Sequence, residues 1–374
     1  MHHEHWSDEA QSFLLARDTK LSELFHYGKY EGTPPLWFLI IKLFLALGGT
    51  YGTFFLLPIL FSTIGLILFE FKIKAPWQIK VLFPFTYFIF YQYTIVTRSY
   101  CMIFPMLMLI AWLYLNRMKK PVLYSIVLLV FMNISLHTLV IAGSFILLFV
   151  IDVIQNRQYK NRKIQLATLI MLLAMLGTML LTIPNPDCAY SANYGTNLWT
   201  ILSEATIGGN YCKWFGTERI DMVITIWLIG IVFLAMKKSK QKLYRLLILI
   251  IPVTLILIFL AYQCWHVGII WLLLFTYFIL NDTINQSKII KYMILVILAV
   301  QMVWNIFSIH YDWNNSFSAS KEVANFLKEN GYDDQVIYGY TYTTTAIEPY
   351  FDHTIFANKN TDKAFYFWQK NKRI

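Results

Sequence analysis

Apolar residues in this chain come in long uninterrupted blocks rather than in alternation. A helix needs roughly 20 residues to cross about 30 Å of hydrocarbon. The blocks between charged or Pro/Gly breaks predict ten spanning helices, at 51–71, 80–97, 100–116, 121–136, 138–152, 164–183, 222–236, 243–261, 267–280 and 290–309. Continuous runs of this kind argue for helices and against a barrel, whose strands would alternate apolar and polar residues. A further run, LWFLIIKLFLAL at 36–47, is too short to span and contains Lys42. It reads as an interfacial or re-entrant helix started by Pro34 and Pro35, since proline fits a first helical turn. The ends are polar. Residues 5–18, HWSDEAQSFLLARD, form an amphipathic pattern with Ala10, Phe13, Leu14 and Ala16 or Arg17 at helical spacing, which predicts a helix lying along the membrane surface. The tail predicts a helix at 319–329 closed by Gly331, then a strand, QVIYGY.

The expected architecture is an all-α polytopic membrane helical bundle with three parts. Residues 1–50 form a first outer loop with interfacial helices, 51–309 the bundle with a long loop at 184–221, and 310–374 a small α/β appendage. Composition agrees: 57% of residues are apolar and 14% charged, against about 25% charged in soluble domains. The formal charge of +10 is first a matter of topology. More than half of the 31 Lys and Arg fall in five short loops, 72–80, 117–120, 155–163, 237–245 and 281–291. The opposing turns at 98–99, 137 and 262–266 carry Arg98 alone. The positive-inside rule places the five basic loops in the cytoplasm. Residues 1–50, Arg98, His137, loop 184–221, the YQCWH turn and the tail then share the outer face. The basic charge is thereby accounted for without nucleic acid.

The chemistry-bearing residues collect on that face. Asp8 and Glu9 are either solvated loop charges or carboxylates held at the lip of the bundle, where one could accept a proton from a hydroxyl. Glu31, in YEGTPPLWF, adds a third acid. Arg98 either snorkels to the interface or grips a phosphate through its guanidinium, with Tyr100 beside it. His137 and His266 are either satisfied helix-end histidines or contacts to phosphate or acceptor. In loop 184–221, Tyr190, Tyr194, Trp199 and Trp214 could stack on sugar faces or merely line an interfacial loop. Cys188 and Cys212 share that loop and either pair or stay free thiols. The His2-His3-Glu4-His5 stretch holds possible metal ligands without ordered spacing. No cleavable signal peptide, internal repeat or nucleotide-phosphate loop motif is visible.

The order DEAQSFLLARD, YEGTPPLWF and RSY at 98–100 resembles the GT-C superfamily of polyprenyl-phosphate-dependent glycosyltransferases, which includes the protein O-mannosyltransferases and the bacterial aminoarabinose transferases. In that superfamily an acid of the first extracytoplasmic loop acts in catalysis, often within an Asp-Glu pair, and a proline-containing stretch of the same loop leads into the next hydrophobic helix. The resemblance, best over the first 120 residues, implies Asp8 as the catalytic acid or base with Glu9 in support, and Glu31-Gly32-Thr33-Pro34-Pro35 as the proline stretch. Members carry a transmembrane helix ahead of the acidic pair, whereas here Met1 stands seven residues before Asp8; the resemblance implies either a chain that begins late, the expected case, or a member with an outer N-terminus and no leading span.

The reaction implied is transfer of a sugar from a polyprenyl-phosphate donor to a glycan, lipid or protein acceptor by single displacement with inversion. Lipid-linked sugars hold their phosphate at headgroup level, which suits outer-face cations beside a lipid-facing groove. No organic cofactor is implied, and a divalent-metal requirement is left open. A cell-surface polysaccharide polymerase or ligase would share these substrates. A transporter or flippase of lipid-linked sugars would instead call for charges within the spans and inverted repeats. The expected location is the cell membrane, with the site facing outward.

Overall fold

A computed structural model of the chain describes residues 3–188, 196–207, 218–238, 243–260, 262, 263, 265–339 and 342–356. The fold is helical, and among the described residues the only β pairing is a single parallel bridge between Ile337 and Phe356. The tail helix forms at Ser320–Glu329 as expected, but the predicted strand is reduced to that bridge; residues 340 and 341, at its end, lie outside the described residues.

Four helices are long and apolar enough to cross a membrane: Tyr51–Lys72, Leu136–Gln155, Arg162–Thr182 and Lys288–Asn314. Shorter apolar helices occupy Ser99–Tyr114, Pro121–Met132, Val223–Met236, Leu243–Phe259 and Gly268–Leu280. These nine elements match nine of the apolar blocks. The tenth, 80–97, is not one helix. It is a short helix Trp77–Leu82, a 3₁₀ turn Phe83–Phe85, an extended break at Thr86 and a π-helical turn Tyr87–Gln92. Pro84 lacks the N–H that a continuing helix needs and restricts the residue before it. Phe83, Tyr87, Phe88, Ile89 and Tyr91 of this segment are buried, while Phe85 and Phe90 are exposed.

The axis of the bundle is the helix Gly268–Leu280, buried from Gly268 through Phe278 on every side. An element apolar all round belongs in the middle of its neighbours rather than at the lipid surface. It packs on Ser99–Tyr114 and Leu243–Phe259. Phe275 stacks on Phe83 with ring centroids 4.2 Å apart, and Phe69 closes the same aromatic group. Tyr51–Lys72 and Ser99–Tyr114 approach closely because Gly65 leaves room for the Phe104 ring.

The N-terminal region differs from the expected surface helix. Ser7–Asp18 is helical, but Glu9, Ala10, Gln11, Phe13, Leu14, Leu15 and Ala16 are all buried, which leaves no broad solvent face. It is enclosed by the helix Leu36–Ala46 on one side and by the tail segments Tyr342–Ala346 and Glu348–Tyr350 on another. Leu36–Ala46 starts directly after Pro35, as predicted. Its Lys42 now has an explanation. The ammonium donates to the carbonyls of Ala16 at 2.7 Å and Thr19 at 2.5 Å, closing the C-terminus of the acid-bearing helix, where unsatisfied carbonyls and the helix dipole favour a cation.

Candidate functional site

The helix Ser7–Asp18 begins with neighbouring acids that meet different surroundings. Glu9 is fully buried. One carboxylate oxygen accepts the backbone N–H of Thr97 at 2.6 Å and lies 3.0 Å from His5 Nδ1. The other accepts the backbone N–H of Trp6 at 3.0 Å and lies 3.5 Å from His3 Nε2. Burial would push this carboxyl upward, but the neighbouring His5 and His3 outweigh it and hold its pKa well below the ordinary value. His3 in turn donates from Nδ1 to Asp312 at 2.9 Å. Burial pulls the His3 pKa down, yet its bonds to Asp312 and Glu9 raise it to about 10. Glu9 is therefore the fastening between the acid helix and the loop 97–98.

That fastening brings Asp8 onto Arg98. The two form a salt bridge and hydrogen bond through Arg98 Nη1, with side chains 21% and 24% exposed respectively, so the pair is partly open to solvent rather than in the core. Glu31 stands close to both and accepts a hydrogen bond from Gln11 Nε2. Burial and the Asp8 charge raise the Glu31 pKa to about 8, against the opposing pull of Arg98 and Gln11.

From Arg98 the constellation continues inward. The Arg98 guanidinium lies 5.8 Å from the Tyr100 ring centroid. Tyr100 Oη is hydrogen-bonded to His266 Nε2 at 2.7 Å, and the His266 and His137 rings are 4.3 Å apart. Trp265 beside His266 meets Trp6, two residues before Asp8, edge to face at 5.7 Å. Asp8, Glu9, Glu31, Arg98, Tyr100, His137 and His266, drawn from five separate stretches of chain, thus form one contiguous group.

The position of His266 depends on a close approach. A Cβ at Gly268 would collide with ring carbons of Phe88 and come within 2.8 Å of Tyr93 Oη. Both rings belong to the irregular segment 83–93. Gly268→Ala is expected to destabilise the fold by about 1–3 kcal/mol through overpacking and to lower the thermal unfolding midpoint in detergent; an unchanged midpoint would show that Phe88 moves aside freely.

Some contacts carry no clear sequence signal. Thr97 contributes only its backbone N–H, and Asp312 reads as an ordinary polar residue after the last apolar run. Glu204, in the helix Leu198–Ile207, is buried and accepts from Tyr262 Oη at 2.5 Å. Tyr30 Oη donates to Asp187 at 2.8 Å, tying the start of loop 184–221 to the first 33 residues. Of the aromatic residues expected to cover a cavity, Trp199 is 46% exposed, while Tyr190, Tyr194 and Trp214 lie outside the described residues, as do Cys212 and His2. Cys188 lies 3.6 Å from the Tyr30 carbonyl. Among the described residues, no group of three or more His, Cys, Asp or Glu is arranged to hold a metal ion; His3 and His5 turn toward Glu9 and Asp312 instead.

The chain is a helical protein with four helices long and apolar enough to cross a membrane. No protein-family model, curated protein or solved structure matches the chain.

Proposed function

We propose that the protein is a multi-pass membrane glycosyltransferase that moves a sugar from a polyprenyl-phosphate donor to an acceptor on the extracytoplasmic side, within a bundle of about ten spans. The observation that supports this reading best is the partly exposed Asp8–Arg98 pair at the rim of a buried polar network. In single displacement, the acceptor hydroxyl gives its proton to the Asp8 carboxylate as its oxygen bonds to the anomeric carbon. The bond from that carbon to the phosphate oxygen breaks, and its electron pair leaves with the polyprenyl phosphate. Arg98 meets the charge gathering on that phosphate. Before substrate arrives Arg98 rests on Asp8; donor phosphate takes over guanidinium N–H groups and frees the carboxylate to act as base. Tyr100 and His266 set the position of the arginine from below, while Glu9 sets that of Asp8.

Glu31 gives the reading a pH signature. With a pKa near 8 it is protonated at neutral pH. Ionisation above that value adds a negative charge that competes for Arg98 and repels the donor phosphate. The donor KM measured in proteoliposomes is expected to rise several-fold between pH 7 and pH 9, and to stay flat in Glu31→Gln. The same shift affects stability. A carboxyl raised from 4.5 to about 8 on folding contributes stability that is complete below pH 4.5 and is lost as pH rises through 8. An identical KM profile in the glutamine variant would remove Glu31 from donor binding, and absence of transfer from any lipid-phosphate sugar would remove the proposed reaction.

A further inference from the structure

A second polar centre lies far from Asp8. The helix Leu136–Gln155 carries His137 at one end and Asp152 near the other, and fifteen residues at about 1.5 Å each separate them by about 22 Å along the axis. Asp152 is 4% exposed in its side chain and is held by Arg117 and Arg245 together. Arg117 Nε donates at 3.1 Å to one carboxylate oxygen, and Arg245 Nη2 at 2.5 Å to the other. Arg245 Nη1 also donates to Tyr114 Oη at 3.1 Å, and the Arg117 guanidinium lies 3.8 Å from the Tyr114 ring centroid. Two cations thus share one acid, which leaves a net positive charge at a buried position.

Both arginines face a cavity of about 890 Å³. Leu148, Leu247, Leu249 and Leu280 form an apolar part of its lining, Gln155 and Asn281 add polar groups, and it reaches Leu115, which is 75% exposed. Two arginines beside a leucine-bearing wall match a phosphate carrying a hydrocarbon chain. A small soluble anion would have no use for the leucines, and a neutral lipid none for the second arginine. Lys119 and Lys120, two and three residues past Arg117, add positive charge to the same approach.

We propose that this cavity binds the phosphate headgroup of an anionic membrane lipid. The guanidinia of Arg117 and Arg245 grip the phosphate bidentately, and the leucine wall takes the first methylenes of an acyl chain. Asp152 keeps the arginines in place when the cavity is empty and competes with the phosphate for them. The proposal requires a membrane setting but not sugar transfer, so it stands or falls apart from the reaction suggested for Asp8.

The test uses the full chain purified in neutral detergent. Thermal unfolding is followed with added phosphatidylglycerol, with phosphatidylcholine and with inorganic phosphate, and bound lipid is counted by native mass spectrometry. Phosphatidylglycerol is expected to raise the midpoint and remain bound, and the other two to leave it unchanged. Arg117→Gln should weaken lipid retention about tenfold, the worth of a charge-assisted bond. Asp152→Asn should strengthen it, because the competing carboxylate is gone. Equal protection by phosphatidylcholine would overturn the proposal, and so would protection by inorganic phosphate, which would mark a soluble-anion site. A structural ion triplet alone predicts that both substitutions destabilise the protein while leaving lipid preference unaltered. Should Arg117→Gln fail to accumulate, the comparison of lipids on the unmodified chain decides.

Discussion

Asp8→Asn is expected to reduce sugar transfer by about 10²- to 10⁴-fold, the usual contribution of a positioned proton acceptor, with the protein inserted and folded as before. The two halves of that expectation rest on different properties of the site. The amide can still accept a hydrogen bond from Arg98 but can no longer take up the acceptor proton. The lost ion pair is worth little to the fold, because both partners are about one-fifth exposed and such pairs contribute about 0–1 kcal/mol. Transfer in proteoliposomes and the unfolding midpoint in detergent should therefore separate cleanly. Wild-type turnover in this variant would exclude Asp8 as the base.

Its neighbour should behave in the opposite sense. Glu9→Ala removes the acceptor for two backbone N–H groups and the counter-charge of a protonated His3. Breaking a buried pair by deleting one partner costs about 3–5 kcal/mol, so the first expected readout is a lower midpoint, accompanied by loss of transfer because Asp8 is no longer held on Arg98. The pH dependence supplies a second readout. Glu9 is lowered on folding, so its contribution is present above pH 4.5 and disappears as acid overcomes the depressed value. His3, raised from 6.5 to about 10, contributes stability below pH 6.5 that is lost as pH rises through 10. The alanine variant should show a flatter alkaline limb. A midpoint and limb like those of the unmodified chain would mean that the acid helix is held elsewhere.

Much of this was open to reading from residue order, for identifiable reasons. The apolar blocks are long, so helices at Tyr51–Lys72, Leu136–Gln155, Arg162–Thr182 and Lys288–Asn314 follow from length and composition alone. Charge asymmetry between the loops led to the expectation that the acids near residue 8 and Arg98 share one face, whereas their ion pair is seen only in the structure. The break at 83–92 was hidden because apolarity says nothing about continuity, and a single Pro84 is compatible with a kinked helix as well as a broken one. The enclosure of Ser7–Asp18 was also hidden. Its helical pattern is genuine, but the surfaces that cover its polar side come from the tail, hundreds of residues away. The distinction between Asp8 and Glu9 depends on which carboxylate faces the Thr97 N–H, a fact of three-dimensional register. Lys42, an anomaly inside an apolar run, became intelligible only with the Ala16 and Thr19 carbonyls beside it.

The clamp on the acid helix also bears on biogenesis. His3 waits for Asp312, 309 residues later, and Arg17 for the carbonyl of Phe351, 334 residues later. Ribosomes deliver the amino end first, so during synthesis this helix must idle at the bilayer with its docking partners still unmade. The clamp on this helix closes only once the segments carrying Asp312 and Phe351 have emerged, so a polypeptide terminated before them lacks both contacts.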